Sequence, residues 1–298
     1  MSLIDDLQIG LCCGMLLEAS LPELIETAAR HGFATITARP YTFAAALKAG
    51  FTERQLRRLI AQAGVRVTMV DALTQGLPGA APPATFEPAL RRILPPDSID
   101  PPDEETCLRS AEALQATYVN VSLFRGRRVP LEEMAEAISG LCRRAARRGL
   151  KVALEFYPGS GLPDLDYALR VVQSCGEPNC AITLDTWHLA RSGGTVEDVR
   201  RLPPGVIAGV QLSDRIAPPP DAPYVPMSGR SMPGEGALPL VEIVAAALAN
   251  TPGISAEIEV LNEELRALPT ELVAARAAAA IARWRTTRAG RAADEAPS

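Results

Sequence analysis

Short, nearly continuous apolar runs alternate with longer amphipathic segments along the whole chain. The runs are QIGLCC (8–13), FATITA (33–38), VRVTMV (65–70), TYVNVS (117–122), LKVALEF (150–156), CAITLD (180–185), VIAGVQLSD (206–214) and ISAEIEVL (254–261). Their length and β-branched content fit strands buried on both faces, as in a parallel sheet. Between them, segments such as LPELIETAARHG, FAAALKAGFTERQLRRLIAQAG and LEEMAEAISGLCRRAARRG have helical spacing, with Gly32, Gly64 and Gly149 where a helix C-cap favours glycine. Eight strands, each followed by a helix, predict an α/β fold, a (β/α)8 TIM barrel. An open doubly wound sheet also alternates, but a dinucleotide fingerprint should then follow its first strand. The first turn here, CCGMLLEASLPE, has a single glycine and no G-x-G-x-x-G.

Two stretches rich in Pro and Gly break the rhythm, 76–105 after strand 3 and 215–236 after strand 7. Strands on both sides are needed to complete the eight, so these read as long βα loops that cover the barrel mouth. Residues 1–284 are expected to form one (β/α)8 barrel domain, and 285–298 a flexible C-terminal tail.

Composition narrows the chemistry. No run approaches the ~18 apolar residues of a membrane span, and MSLIDDLQIG lacks a basic segment leading into an apolar stretch. The expected address is cytoplasmic, with no membrane partner. A net charge of −5 argues against nucleic acid, whose phosphates need a basic face. The six cysteines, at 12, 13, 107, 142, 175 and 180, lack the spacing of a zinc or disulfide framework. With only His31 and His188 in the chain, any metal site must be built mainly from oxygen ligands.

Those oxygens are present. Strand 5 ends in Glu155, strand 6 in Asp185, strand 7 offers Gln211 and then Asp214, and strand 8 carries Glu257 and Glu259 on one face. A lone strand-terminal carboxylate can simply cap the next helix, as Asp185 could ahead of TWHLA. Several carboxylates aimed into one barrel mouth repel one another, and a divalent cation resolves that repulsion.

The pieces ALEFYPGSG, ITLDTWHLARSGG, VQLSD, GRSMPGEG and AEIEVLNEEL resemble the xylose-isomerase-like barrels known as sugar phosphate isomerases/epimerases. The resemblance covers essentially the whole chain and is sharpest from 150 to 265. It implies one divalent ion held by Glu155, Asp185, Gln211 and Glu259, with His188 of the DTWH unit near substrate oxygens. Gln in the strand-7 position is similar to 3-dehydroshikimate and inosose dehydratases, whereas ketose epimerases carry His there. Three carboxylates and an amide oxygen suit Mn²⁺, Mg²⁺ or Co²⁺, with Zn²⁺ admissible. The resemblance implies an isomerase/epimerase acting through an enediolate, with Glu155 and Glu259 as catalytic acid/base pair; a dehydratase (lyase) is the alternative. A sugar-binding module without catalysis is the non-enzymatic rival, disfavoured by the presence of both glutamates. Substrates would be a polyol or keto-sugar, or a cyclic keto acid, and a homo-oligomer is compatible with such barrels.

Other residues are secondary candidates. Arg230, flanked by Gly229 and Gly234, is expected on a mobile tip of the seventh loop, where it would clamp a substrate carboxylate or phosphate. Glu235 would hold that arginine or a substrate hydroxyl. Arg39, closing strand 2, is a further anion candidate, and Trp187 is expected to pack beneath the mouth. Cys12 and Cys13 enter the first loop, His31 reads as structural, and Glu257 could replace Glu259 as ligand.

Overall fold

In a computed structural model, which describes residues 4, 6–81, 102–216 and 229–294, eight parallel strands close into a barrel. These are β1 (Ile9–Leu11), β2 (Thr35–Ala38), β3 (Arg66–Leu73), β4 (Tyr118–Ser122), β5 (Lys151–Glu155), β6 (Cys180–Asp185), β7 (Ile207–Leu212) and β10 (Ala256–Ile258). Each strand pairs with the next in sequence, and β10 pairs with β1 to close the ring. A short antiparallel pair, β8 (Asp214–Arg215) and β9 (Arg230–Ser231), stands beyond the end of β7.

Alternate strand residues face opposite ways, and this period places the chemistry. Leu154, Ile182, Leu184 and Leu212 are buried in the large apolar cluster that includes helix residues such as Leu141 and Val171. The other face is the barrel interior. Met69, Ala153, Ala181 and Ala208 form a small apolar layer of their own. Two residues further along each strand stand Asp71, Glu155, Thr183 and Val210, and two beyond Thr183 stands Asp185; Val210 breaks the pattern, and its neighbour Gln211 takes the interior position. Polar side chains at the strand ends thus converge on the C-terminal mouth while the helices cover the apolar outer face.

Local signals account for the helices. Gly32, Gly64 and Gly149 all have positive φ, as C-caps require. The segment 43–64, continuous in its spacing, is divided into helices Pro40–Lys48 and Glu53–Ala63. Gly50 at φ 97° turns the chain, and Thr52 with Gln55 forms a reciprocal capping box that restarts it. The last helix, Thr270–Asp294, continues past Trp284, where a frayed tail was expected. The Ala- and Arg-rich composition favours helix strongly enough to carry the backbone on. Arg30 and His31 at the end of the first helix converge on Glu271 of the last, His31 Nε2 at 2.8 Å, which links the two helices. Most of both long loops, 82–101 and 217–228, lies outside the described residues, and so does the expectation that they cover the mouth. No helix among the described residues is long and apolar enough to cross a membrane.

Candidate metal centre

Asp185 ends β6 and caps the helix Thr186–Arg191. Its Oδ1 accepts from the backbone N–H of Trp187 at 2.7 Å and of His188 at 2.9 Å. The capping role and the site role coexist, because Oδ2 points the other way, to Arg230 Nη1 at 3.0 Å. Burial alone would push this carboxyl up; Arg230, His188 and the two backbone donors more than offset it and hold it below its usual range.

Glu155 ends β5 and is buried. Its Oε2 accepts from Asn120 Nδ2 at 2.7 Å, and its Oε1 lies 3.4 Å from His188 Nε2. Thr183 donates to Asn120 Oδ1 at 2.8 Å, which fixes the amide so that Nδ2 faces carboxylates, Glu155 on one side and Asp71 Oδ1 at 2.8 Å on the other. Burial, reinforced by Asp71 and Asp185, pushes Glu155 up to about 8. Glu259, one residue past β10, is raised by burial too, against the pull of Arg230 and with Asp185, Glu155 and Asp71 adding to the rise. Its Oε1 lies 3.3 Å from Cys12 Sγ, and its Oε2 has no hydrogen-bond partner, with Arg230 Nη1 at 3.6 Å.

Gln211 pairs with Asp185 across β6 and β7 and is buried. Its Nε2 reaches Asp71 Oδ2 at 3.4 Å, so its Oε1 is left without a donor. A buried acceptor without a donor costs about 1–3 kcal/mol unless something positive meets it. Three carboxylates, two of them raised, beside two orphaned oxygens, Gln211 Oε1 and Glu259 Oε2, are the pattern a divalent cation resolves. The donor set fits a hard ion.

His188 is neutral: burial lowers it to about 3, with Asp185 pulling up and Arg230 down. Arg230 Nη2 lies 3.2 Å from His188 Nε2, and a guanidinium can only donate, so the imidazole proton sits on Nδ1. Nδ1 itself is buried without a partner. The ring stacks on Tyr157 with centroids 4.8 Å apart, which sets its plane.

Two expectations change. Arg230 is not on a mobile tip. It lies in β9, paired with Arg215 of β8, and is 3% exposed, its guanidinium 4.8 Å from the Trp187 ring centroid. Asp214 holds this loop by accepting from the backbone of Gly234 at 3.0 Å and of Leu238 at 2.9 Å, which is why the segment is built rather than swinging. Glu235 is not brought into the group; its carboxylate is on the outer surface, 2.7 Å from Arg283. Glu257 faces the interior one layer below Glu259, accepting from Thr68 at 2.9 Å and Thr35 at 3.2 Å, so its hydrogen bonds are satisfied away from Glu259.

Asp71 and Asn120, not among the expected candidates, contact this group through Gln211 and Glu155. Asp71 follows VRVTMV directly and Asn120 interrupts TYVNVS, the same polar-in-strand signal that marks Glu155 and Asp185.

Comparison with known proteins agrees with this architecture. The family model described as a xylose isomerase-like TIM barrel matches residues 25–284. A 3-dehydroshikimate dehydratase of Pseudomonas aeruginosa is 28% identical over 145 residues, 46% of this chain and 22% of that protein. Among solved structures, the IolI protein with a bound zinc atom superposes with TM-score 0.76 at 17% identity, covering 93% of this chain and 97% of that one. A probable 3-dehydroshikimate dehydratase, AsbF of Bacillus anthracis, gives 0.69 at 17% identity, covering 92% and 98%. A D-psicose 3-epimerase crystallised with D-fructose gives 0.64 at 16%, covering 94% and 98%.

Proposed function

Because the chain belongs to the xylose isomerase-like TIM barrel family, we propose that it is a divalent-metal-dependent enzyme that removes a proton from carbon beside a carbonyl. The observation that carries this reading is the buried group of Glu155, Asp185, Gln211 and Glu259, with the amide and carboxylate oxygens of Gln211 and Glu259 left unpaired. These four would hold the ion, Mn²⁺, Mg²⁺ or Co²⁺ by donor hardness, with Zn²⁺ next. When bound, the ion supplies Lewis-acid polarisation of a substrate oxygen.

The chain's own residues do the rest. Glu259 takes the proton from carbon, and the electron pair moves into the carbonyl to give an enolate. His188 Nδ1–H donates to the oxygen on which that charge gathers. Glu155 is the second acid/base, and Arg230 keeps Asp185 ionised and His188 in the donating tautomer. Two endings are open to the same enolate. Loss of a hydroxyl from the β carbon, with a proton returned so that it leaves as water, is dehydration; reprotonation of carbon from the other face is epimerisation. Gln211 and the likeness to a 3-dehydroshikimate dehydratase favour dehydration of a small cyclic hydroxy-keto acid. The isomerase/epimerase ending is the second reading, favoured by the resemblance of the 150–265 motifs to that family.

The test is proton-exchange NMR in deuterated buffer on metal-reloaded enzyme, with keto-sugars and cyclic hydroxy-keto acids, beside ultraviolet absorbance. Dehydration appears as growing absorbance of a conjugated product; epimerisation appears as a labelled stereoisomer without absorbance. The absence of both deuterium uptake and product with every member of the panel refutes proton abstraction.

A further inference from the structure

Two buried arginines face this mouth, and they are treated differently. Arg230 lies against Asp185 and Glu259. Arg39, which closes β2 and is 8% exposed, has no carboxylate within ion-pairing distance among the described residues. Its Nη1 donates to the backbone oxygen of Leu17 at 3.3 Å, and its guanidinium lies 5.6 Å from the Tyr41 ring centroid. The Tyr41 hydroxyl is itself buried, with the Arg39 guanidinium as a polar neighbour. A buried charge with no carboxylate beside it is expensive, and the Cys13 thiol, which the Cys12 thiol and Arg39 hold below its usual range, answers it only in part. Here the charge stands beside the buried Tyr41 O–H at the C-terminal end of a barrel strand.

We propose that Arg39 and Tyr41 form an anion subsite, which takes a carboxylate or phosphate at the end of the substrate remote from the metal group. The inference rests on the proposed proton-abstracting site and adds the residues that would recognise the substrate's anionic group. Asp71 is the link between the two regions: it faces Gln211 at 3.4 Å on one side and feels the Arg39 charge on the other. A substrate lying across the mouth therefore presents hydroxyls to Asp71 while its anionic group meets Arg39. Burial pushes the Tyr41 hydroxyl up to about 12, so it remains a donor throughout the working range. The planar guanidinium offers two parallel N–H groups to an oxyanion, and its shielding from water strengthens that contact.

Calorimetric titration of folded, metal-loaded protein tests this without requiring turnover, with quinate, methyl quinate and inorganic phosphate as probes. Wild type should bind quinate more tightly than its neutral ester. Arg39→Gln should weaken quinate by about 10- to 100-fold and leave the ester's affinity in place. Arg39→Lys should lie between, since it keeps the charge and loses the fork, and Tyr41→Phe should lose several-fold for the acid alone. Competition by inorganic phosphate that Arg39→Gln abolishes assigns the subsite to a phosphate; quinate binding that phosphate leaves untouched assigns it to a carboxylate. The proposal is overturned if wild type does not prefer the acid, or if Arg39→Gln and Tyr41→Phe both keep that preference. Wild-type turnover of the panel with no preference for the acid over its ester would remove the subsite and leave the enzyme reading standing. An acid preference lost in Arg39→Gln, in a protein without turnover, would do the reverse.

Discussion

Metal-free protein should become less stable as pH rises, and Glu155 should be a principal cause. Its carboxyl is buried between the Asn120 amide and the His188 ring, and burial, then Asp71 and Asp185, push it from 4.5 to about 8. In the unfolded chain the same group titrates near ~4.3. Between those values the folded state holds a proton that the unfolded state has released, so stability falls with rising pH by about 1.4 kcal/mol per pH unit. Across roughly pH 6 to 8 that amounts to about 2 kcal/mol, since the slope fades as the folded group itself ionises near 8, and it is a sizeable fraction of a typical domain's stability. Glu259, also raised, adds in the same sense, whereas Asp185, held low, matters only at acid pH. Glu155→Gln is the clean perturbation. It keeps the shape and an acceptor for Asn120, and its amide nitrogen can donate to His188 Nε2. Urea unfolding of chelator-treated wild type and variant, at several pH values through the window, reads the slope directly. The variant should lose about one proton's worth of pH dependence, and saturating Mn²⁺ should flatten the wild-type slope because the cation replaces the proton. A variant that follows the wild-type slope refutes the assignment.

Three further outcomes are expected. Elemental analysis should find one divalent ion per chain, and Asp185→Asn or Gln211→Leu should lower metal affinity by at least ~10-fold, whereas Glu257→Gln should leave it unchanged. Glu155→Gln and Glu259→Gln should each reduce turnover by more than the ~10²–10⁴-fold of a single acid/base, because metal binding suffers as well, while His188→Ala should slow the reaction with metal content intact. Steady-state rates of Glu235→Ala should match wild type, since that carboxylate sits on Arg283 at the outer surface.

Much of this protein was legible along the chain because strand and helix periods are local properties. Eight apolar runs with helical segments between them leave few ways to bury both faces of every strand, and the closed barrel follows. The strand-terminal oxygens of Glu155, Asp185, Gln211 and Glu259 were visible for the same reason: a polar residue at an interior strand position has no apolar explanation. The identical rule, carried to β3 and β4, marks Asp71 and Asn120.

Contacts between distant segments were decided by tertiary structure alone. Nothing local distinguishes Arg230, flanked by glycines, from a solvated loop charge; the β8–β9 pairing and the Asp214 carboxylate draw it onto Asp185, 45 residues away in sequence. Glu235, five positions on, turns outward because a different partner, Arg283, comes within reach. Glu257 and Glu259 share a face and a residue type, yet Thr35 and Thr68 satisfy the deeper one and leave an oxygen of the upper one bare. Which buried charge has a partner, and which is left for a ligand, depends on what the other strands bring to the same height in the barrel, and periodicity along one strand carries no record of that.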